Sequence, residues 1–71
     1  MYSTLVFPDP GLWGVIELPF VPDRIVSVEA LDPDSRALIP VPPDRWRRDG
    51  ARIKPVVEWP NNIEIRVLVA S

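Results

Sequence analysis

Cysteine and histidine are both absent from this 71-residue chain, which removes much of the usual equipment for chemistry at a protein site. Without cysteine there are no disulfides to support a small core and no thiolate metal ligands. Without histidine the commonest general base and metal ligand is missing. Ser3, Thr4, Ser27, Ser35 and Ser71 therefore have no partner for a triad of the common kind. The three glycines, Gly11, Gly14 and Gly50, make neither a phosphate-cradling loop nor a dinucleotide fingerprint. Long proline-free runs are scarce as well. The two longest, Asp44 to Lys54 and Asn61 to Ser71, are eleven residues each. The ten prolines amount to nearly three times the ordinary share of roughly 5%. A helix of ordinary length would have to contain one, at a cost of about 3 kcal/mol, or stop against one. Helical bundles, coiled coils and doubly wound α/β folds are excluded on that ground. So is a transmembrane helix, which needs about 20 consecutive apolar residues. The N-terminus carries no basic stretch followed by an apolar one, so no secretory signal is evident, and an intracellular or particle-borne soluble protein is expected.

What is present reads as β structure. The apolar and charged fractions, 46% and 25%, are those of a globular chain and not a disordered one. Residues 1–71 are expected to form a single small β domain with one core and no cleft between domains. Tyr2 to Phe7, Trp13 to Leu18, Ile25 to Leu31 and Ala37 to Val41 read as strands, separated by proline-rich and acidic turns. Ile63, Ile65, Val67 and Val69 alternate with Glu64, Arg66 and Leu68, the clearest half-buried strand in the chain. Asn61-Asn62 before it suits a turn with positive φ. In Ile25 to Leu31 both faces read as partly apolar. The expected fold is all-β: a small antiparallel barrel or sandwich of about five to six short strands with no substantial helix.

Charge is divided along the chain. Residues 1–34 carry a net charge of −5 and residues 35–71 a net charge of +3, and seven of the eight cations are arginine. Arginine suits bidentate contact with carboxylate or phosphate, and opposed halves allow head-to-tail association of copies. Asp49-Gly50 is a strong two-residue hairpin signal. With those two as the turn, Arg48 faces Ala51, Arg47 faces Arg52, Trp46 faces Ile53 and Arg45 faces Lys54. Arg45, Arg47, Arg52 and Lys54 then share one cationic face, while Trp46 and Ile53 pack on the other. Directly opposed like charges are destabilising, so an acidic strand bearing Glu29, Glu58 or Glu64, a partner's carboxylates, or phosphate is expected to offset them. Trp13, Trp46 and Trp59 are expected in the core or at its edge, with Trp59-Pro60 as a lid over one end of the barrel. Trp46 beside arginines also suits stacking in a cationic groove. The hairpin geometry, however, sends Trp46 away from Arg45 and Arg47. Asp32 and Asp34 read as turn-makers, because the turn lacks the ligand pattern of a calcium loop. No catalytic residue, cofactor or metal site is expected; Lys54, the only lysine, reads as solvated.

The order of motifs carries a resemblance. Ile16-Glu17-Leu18-Pro19-Phe20-Val21-Pro22 is followed by Ile25-Val26-Ser27-Val28, Asp32-Pro33-Asp34-Ser35 and Asp44-Arg45-Trp46. Then come Arg52-Ile53-Lys54-Pro55, Trp59-Pro60 and a last strand closing in Val69-Ala70-Ser71. This succession, over about residues 12 to 70, resembles the β portion of head–tail connector (adaptor) proteins of long-tailed phages, prophages and gene-transfer agents. Ser35 stands where that family has a turn glycine, Trp46 where it has a tyrosine, Arg48 at a usually neutral position, and Ser71 where glycine is usual. The family also carries α-helices on both sides of this portion, for which the prolines leave no room here. The resemblance thus implies an excised connector β domain, the product of a truncated prophage gene, or a small helix-less protein that keeps only the β module.

The resemblance implies a non-enzymatic structural protein of a phage or prophage, acting through protein–protein contacts in virion assembly and located in the virion or the host cytoplasm. Its implied partners are the portal and neighbouring connector or tail subunits. The candidate contact residues are Arg45, Arg47, Arg52, Lys54 and Trp46. A homo-oligomer and non-specific DNA contact both stay open, and no membrane partner is expected. Two other readings remain: a small phage or mobile-element protein that binds and modulates a host protein, and a β module that contacts nucleic acid.

Overall fold

The computed structural model describes residues 1–60 and 63–71, so the turn expected at Asn61-Asn62 lies outside the described residues. Alternation and proline placement divide the described residues into seven strands: β1 (Tyr2–Phe7), β2 (Ile16–Glu17), β3 (Arg24–Leu31), β4 (Leu38–Pro40), β5 (Trp46–Asp49), β6 (Arg52–Pro55) and β7 (Glu64–Ala70). The fold is all-β, with seven strands among the described residues where about five to six are expected. Among the described residues the helical structure is a three-residue 3-10 turn at Pro43–Arg45, started by a proline whose fixed φ suits a first helical position. No helix among the described residues is long and apolar enough to cross a membrane.

The strands form two antiparallel sheets, ordered β1-β7-β3-β4 and β2-β6-β5, which face each other as a small sandwich. β7 is one of the two inner strands of the larger sheet, and its alternation is the cleanest. Ile65, Val67 and Val69 are fully buried. Val67 lies opposite Leu5 of β1 on one side and Val28 of β3 on the other. From the smaller sheet Ile16 and Ile53, which oppose each other across β2 and β6, close the same core.

The ambiguous pattern of β3 has a local cause. The ladder with β7 pairs Ile25 with Val69 and then Ser27 with Leu68, so Val26 is the extra residue of a β-bulge. One inserted residue reverses the alternation. Ile25 packs against the core before the bulge and Val28 and Ala30 after it, leaving Val26 exposed. Both faces read as apolar because each is the inner face for part of the strand.

The strand read at Trp13 to Leu18 contracts to Ile16–Glu17, and the Leu18 amide continues toward the hairpin by donating to the Ala51 carbonyl at 2.7 Å. The residues before it are held by Trp59, which is only 1% exposed. The Trp59 amide donates to the Leu12 carbonyl at 2.7 Å and its indole Nε1–H to the Gly14 carbonyl at 2.6 Å. With the Leu12 and Gly14 carbonyls committed to Trp59, the side chain of Trp13 stands 59% exposed. The core placement expected for Trp13 is therefore overturned, whereas Trp59 is a central core residue. Gly14 is required where it is: a Cβ there would lie 1.8 Å from the Pro10 carbonyl oxygen.

Candidate interaction surface

The hairpin carrying the candidate residues closes one position later than its Asp-Gly signal implies. Trp46 pairs with Pro55, Arg47 with Lys54, Arg48 with Ile53 and Asp49 with Arg52, leaving Gly50 and Ala51 as the turn. Gly50 has φ 60°, and Ala51 is not in the left-handed region. Glycine at the first central position is the pattern of a type II′ turn, which needs one positive φ where type I′ needs two. Asp49 is thereby freed to pair as a strand residue. The expected pairings of Arg45 with Lys54 and Arg47 with Arg52 do not occur.

The new register keeps the parity of the faces and changes their charge. Arg47, Arg52 and Lys54 still share the outward face of the smaller sheet, now with Asp49 and Glu17 among them. Arg52 Nε lies 3.3 Å from Glu17 Oε1, and Lys54 Nζ lies 3.1 Å from Asp49 Oδ2. The offset expected from Glu29, Glu58 or Glu64 is supplied by these two carboxylates instead. Both pairs are well exposed and each contributes well under about 1 kcal/mol. Arg47 has no carboxylate partner among the described residues.

Arg45 and Trp46 lie elsewhere. Arg45 belongs to the 3-10 turn, and its carbonyl accepts the amides of Val56 and Val57 at 2.9 and 3.3 Å. Its guanidinium also lacks a carboxylate partner among the described residues. Trp46 is half-buried on the inward face, with Nε1–H donating to the Val41 carbonyl at 3.2 Å. Pro40, Val41 and Pro42 form a ridge between two open grooves. One, of about 480 Å³, runs between β3 and the ridge and ends on Trp46. The other, of about 300 Å³, is bordered by Arg45, Val57 and Pro60. The five candidate residues thus divide into an outward row of Arg47, Arg52 and Lys54, and a separate corner where Arg45 and Trp46 flank the ridge.

One arginine missed as a functional group proves structural. Arg48 points inward beside Ile53, and its guanidinium donates to the carbonyls of Gly50 (2.9 Å), Asp23 (3.4 Å) and Pro22. It ties the hairpin tip to the segment entering β3. The signal in the sequence is its parity: Arg48 falls on the same face as Trp46, an unusual place for a charge unless its donors are satisfied.

The acidic turn after β3 is held by its own side chains. The Asp34 amide donates to Asp32 Oδ1 at 2.9 Å, and the Ala37 amide to Ser35 Oγ at 3.3 Å. The Asp34 amide, assisted by the hydroxyl and amide of Ser35, holds the Asp32 carboxyl below its usual range against a smaller opposing effect of desolvation. Among the described residues no acidic side chains group as a metal site, and no charged side chain is buried. No protein-family model, curated protein or solved structure matches the chain.

Proposed function

We propose that the chain is a non-enzymatic structural protein of a phage or prophage that works through protein–protein contact during virion assembly, in the manner of a head–tail connector β domain. The observation that carries this reading is the corner around Pro40 to Pro42. There Arg45, without an acidic partner among the described residues, and the half-buried Trp46 border two largely apolar grooves whose linings also include Glu58 and Glu29. Desolvated aromatic and arginine anchors are what assembly interfaces use most. The acidic partner surface is available either on residues 1–34 of a second copy or on a portal or tail subunit. Contact with DNA phosphates is the weaker reading, because Arg52 and Lys54 already have carboxylate partners and the net charge is −2.

Co-expression with the products of the flanking genes, followed by light scattering, tests the proposal. A stoichiometric complex with portal or tail proteins that is lost in the Arg45→Glu, Arg47→Glu double variant supports it. Failure to join any such assembly, with capture of one host protein instead, favours the host-modulator reading. Steep salt-dependent retention on DNA favours the nucleic-acid reading.

A further inference from the structure

Of the four sheet edges that the described residues form, three are blunted. β4 is three residues long and ends on Pro40, β2 has two residues, and β5 presents Arg47 and Arg48. Short strands, prolines and charges are the usual protections against strand pairing between molecules. β1 has none of them. Its six residues, Tyr2 to Phe7, contain no charge, proline or glycine, and among the described residues only β7 pairs with it.

The open hydrogen-bonding groups of β1 can be assigned. Met1 and Ser71 exchange both backbone hydrogen bonds, the Met1 nitrogen to the Ser71 carbonyl and the Ser71 amide to the Met1 carbonyl, each 2.9 Å. Antiparallel ladders alternate, so Ser3, Leu5 and Phe7 bond to β7, while the amides and carbonyls of Tyr2, Thr4 and Val6 point away. The Asp23 amide donates to the Ala70 carbonyl at 2.9 Å, which fixes the same parity from the other side of β7.

We infer that β1 is a self-association edge whose partner is β1 of a second copy, paired antiparallel about a twofold axis at Thr4. The open groups are symmetric about Thr4, so that register satisfies all of them. Tyr2 pairs with Val6 of the partner subunit, Thr4 with Thr4 of the partner subunit, and Val6 with Tyr2 of the partner subunit. The side chains match as well. An aromatic opposes a β-branched residue twice, and threonine opposes threonine once, which are favourable cross-strand pairs. Tyr2 and Val6 are 62% and 50% exposed in the single chain, so the pairing covers apolar surface. β1 itself brings no charge to the contact, and the charge of Arg24, which donates to the Tyr2 hydroxyl at 3.2 Å, stays at the outer end of the paired strands. A foreign strand would gain the backbone bonds, but the symmetric side-chain match is particular to a second copy. This contact is independent of the Arg45 and Trp46 corner and stands whether or not the connector reading does.

The test combines sedimentation equilibrium with amide exchange by NMR. The wild-type chain is expected to dimerise between micromolar and millimolar concentration, with little dependence on salt. The amides of Tyr2, Thr4 and Val6 become protected as concentration rises, while those of Ser3, Leu5 and Phe7 are protected throughout. Thr4→Lys and Thr4→Glu each place like charges at the twofold axis and weaken association about tenfold or more. An equimolar mixture of the two variants restores it. Thr4 is exposed, so both variants fold, which retained protection of the Ser3, Leu5 and Phe7 amides in the same exchange experiment verifies. A wild-type chain that stays monomeric at millimolar concentration overturns the proposal and leaves the edge to a strand of another protein. A dimer indifferent to both substitutions overturns it equally.

Discussion

The indole N–H of Trp59 donates to the carbonyl of Gly14 at 2.6 Å, joining the segment after β6 to the approach to β2. The same tryptophan is fully buried in the core, and its amide donates to the Leu12 carbonyl. Trp59→Phe keeps much of the apolar bulk but loses the donor and part of the volume. It is expected to cost about 1.5–3 kcal/mol. The shift of the urea midpoint at constant slope measures it, and a change within experimental error would remove Trp59 from the centre of the fold.

Gly14 makes the other half of that contact. A methyl group there meets the Pro10 carbonyl oxygen at 1.8 Å, and the obstacle is backbone, which cannot rotate aside. Gly14→Ala is expected to destabilise by about 1–3 kcal/mol. Because the displaced backbone carries the carbonyl that Trp59 uses, the Gly14→Ala, Trp59→Phe double variant should lose less than the two single losses added together. Full additivity in a double-mutant cycle would show that the two residues act separately.

Arg48 and Arg47 are neighbours in sequence with opposite expectations. Arg48 donates to three carbonyls on two segments, whereas Arg47 faces solvent with no carboxylate partner among the described residues. A lysine cannot reproduce the planar fork. Arg48→Lys is therefore expected to cost about 1.5–3 kcal/mol, and Arg47→Lys to stay within about 0.5 kcal/mol. Equal effects in chemical denaturation would refute the structural role of Arg48.

What was legible in the sequence was whatever a period of two and the placement of proline control. β7 lies close to its alternating run and β1 to its run of β-type residues ending at Pro8, and the prolines keep the chain all-β. Features set by a single residue's backbone geometry were not legible in the same way. The bulge at Val26 inverts a face without any glycine to mark it, and the hairpin slips by one residue because Gly50 can open a type II′ turn as readily as it can close a type I′ turn. The slip preserved parity, so Arg47, Arg52 and Lys54 stayed on one face while their partners changed. Trp13 and Trp59 are alike in composition, and only the hydrogen bonds made by Trp59 separate the exposed one from the buried one. Arg45 left the expected row because the prolines at 42 and 43 start a 3-10 turn where a strand was read.

Arg36 offers a stabilising substitution. Its φ of 60° lies in the left-handed region, and its amide closes the turn by donating to the Asp32 carbonyl at 2.8 Å. A side chain there costs about 1–2 kcal/mol, more than the roughly 0.5–1 kcal/mol of added freedom that glycine must lose. Arg36→Gly is expected to stabilise by up to about 1 kcal/mol, an increase in Tm of about 4–8 °C for a domain of this size. Arg36→Ala keeps the strain and should give no increase. A glycine variant no more stable than the alanine variant would show that the turn holds no such strain.

Asp32 gives the fold a defined acid dependence. Its carboxylate accepts the Asp34 amide at 2.9 Å, and its pKa is held below the ordinary value of 3.8, chiefly by that bond and in smaller part by Ser35. A carboxyl whose folded pKa is depressed binds its proton more readily in the unfolded chain. Its stabilisation is therefore complete well above the unfolded value and disappears as pH falls through the lower folded value. Asp32→Asn keeps an oxygen acceptor without the charge. The stability difference between wild type and Asp32→Asn should favour wild type at neutral pH and close as the pH is lowered below 3.8. NMR titration of the Asp32 carboxyl should show the depressed midpoint, and Ser35→Ala should raise it only partway, because the Asp34 amide remains. A difference between the two proteins that stays constant into acid would mean that the carboxylate charge has no part in holding this turn.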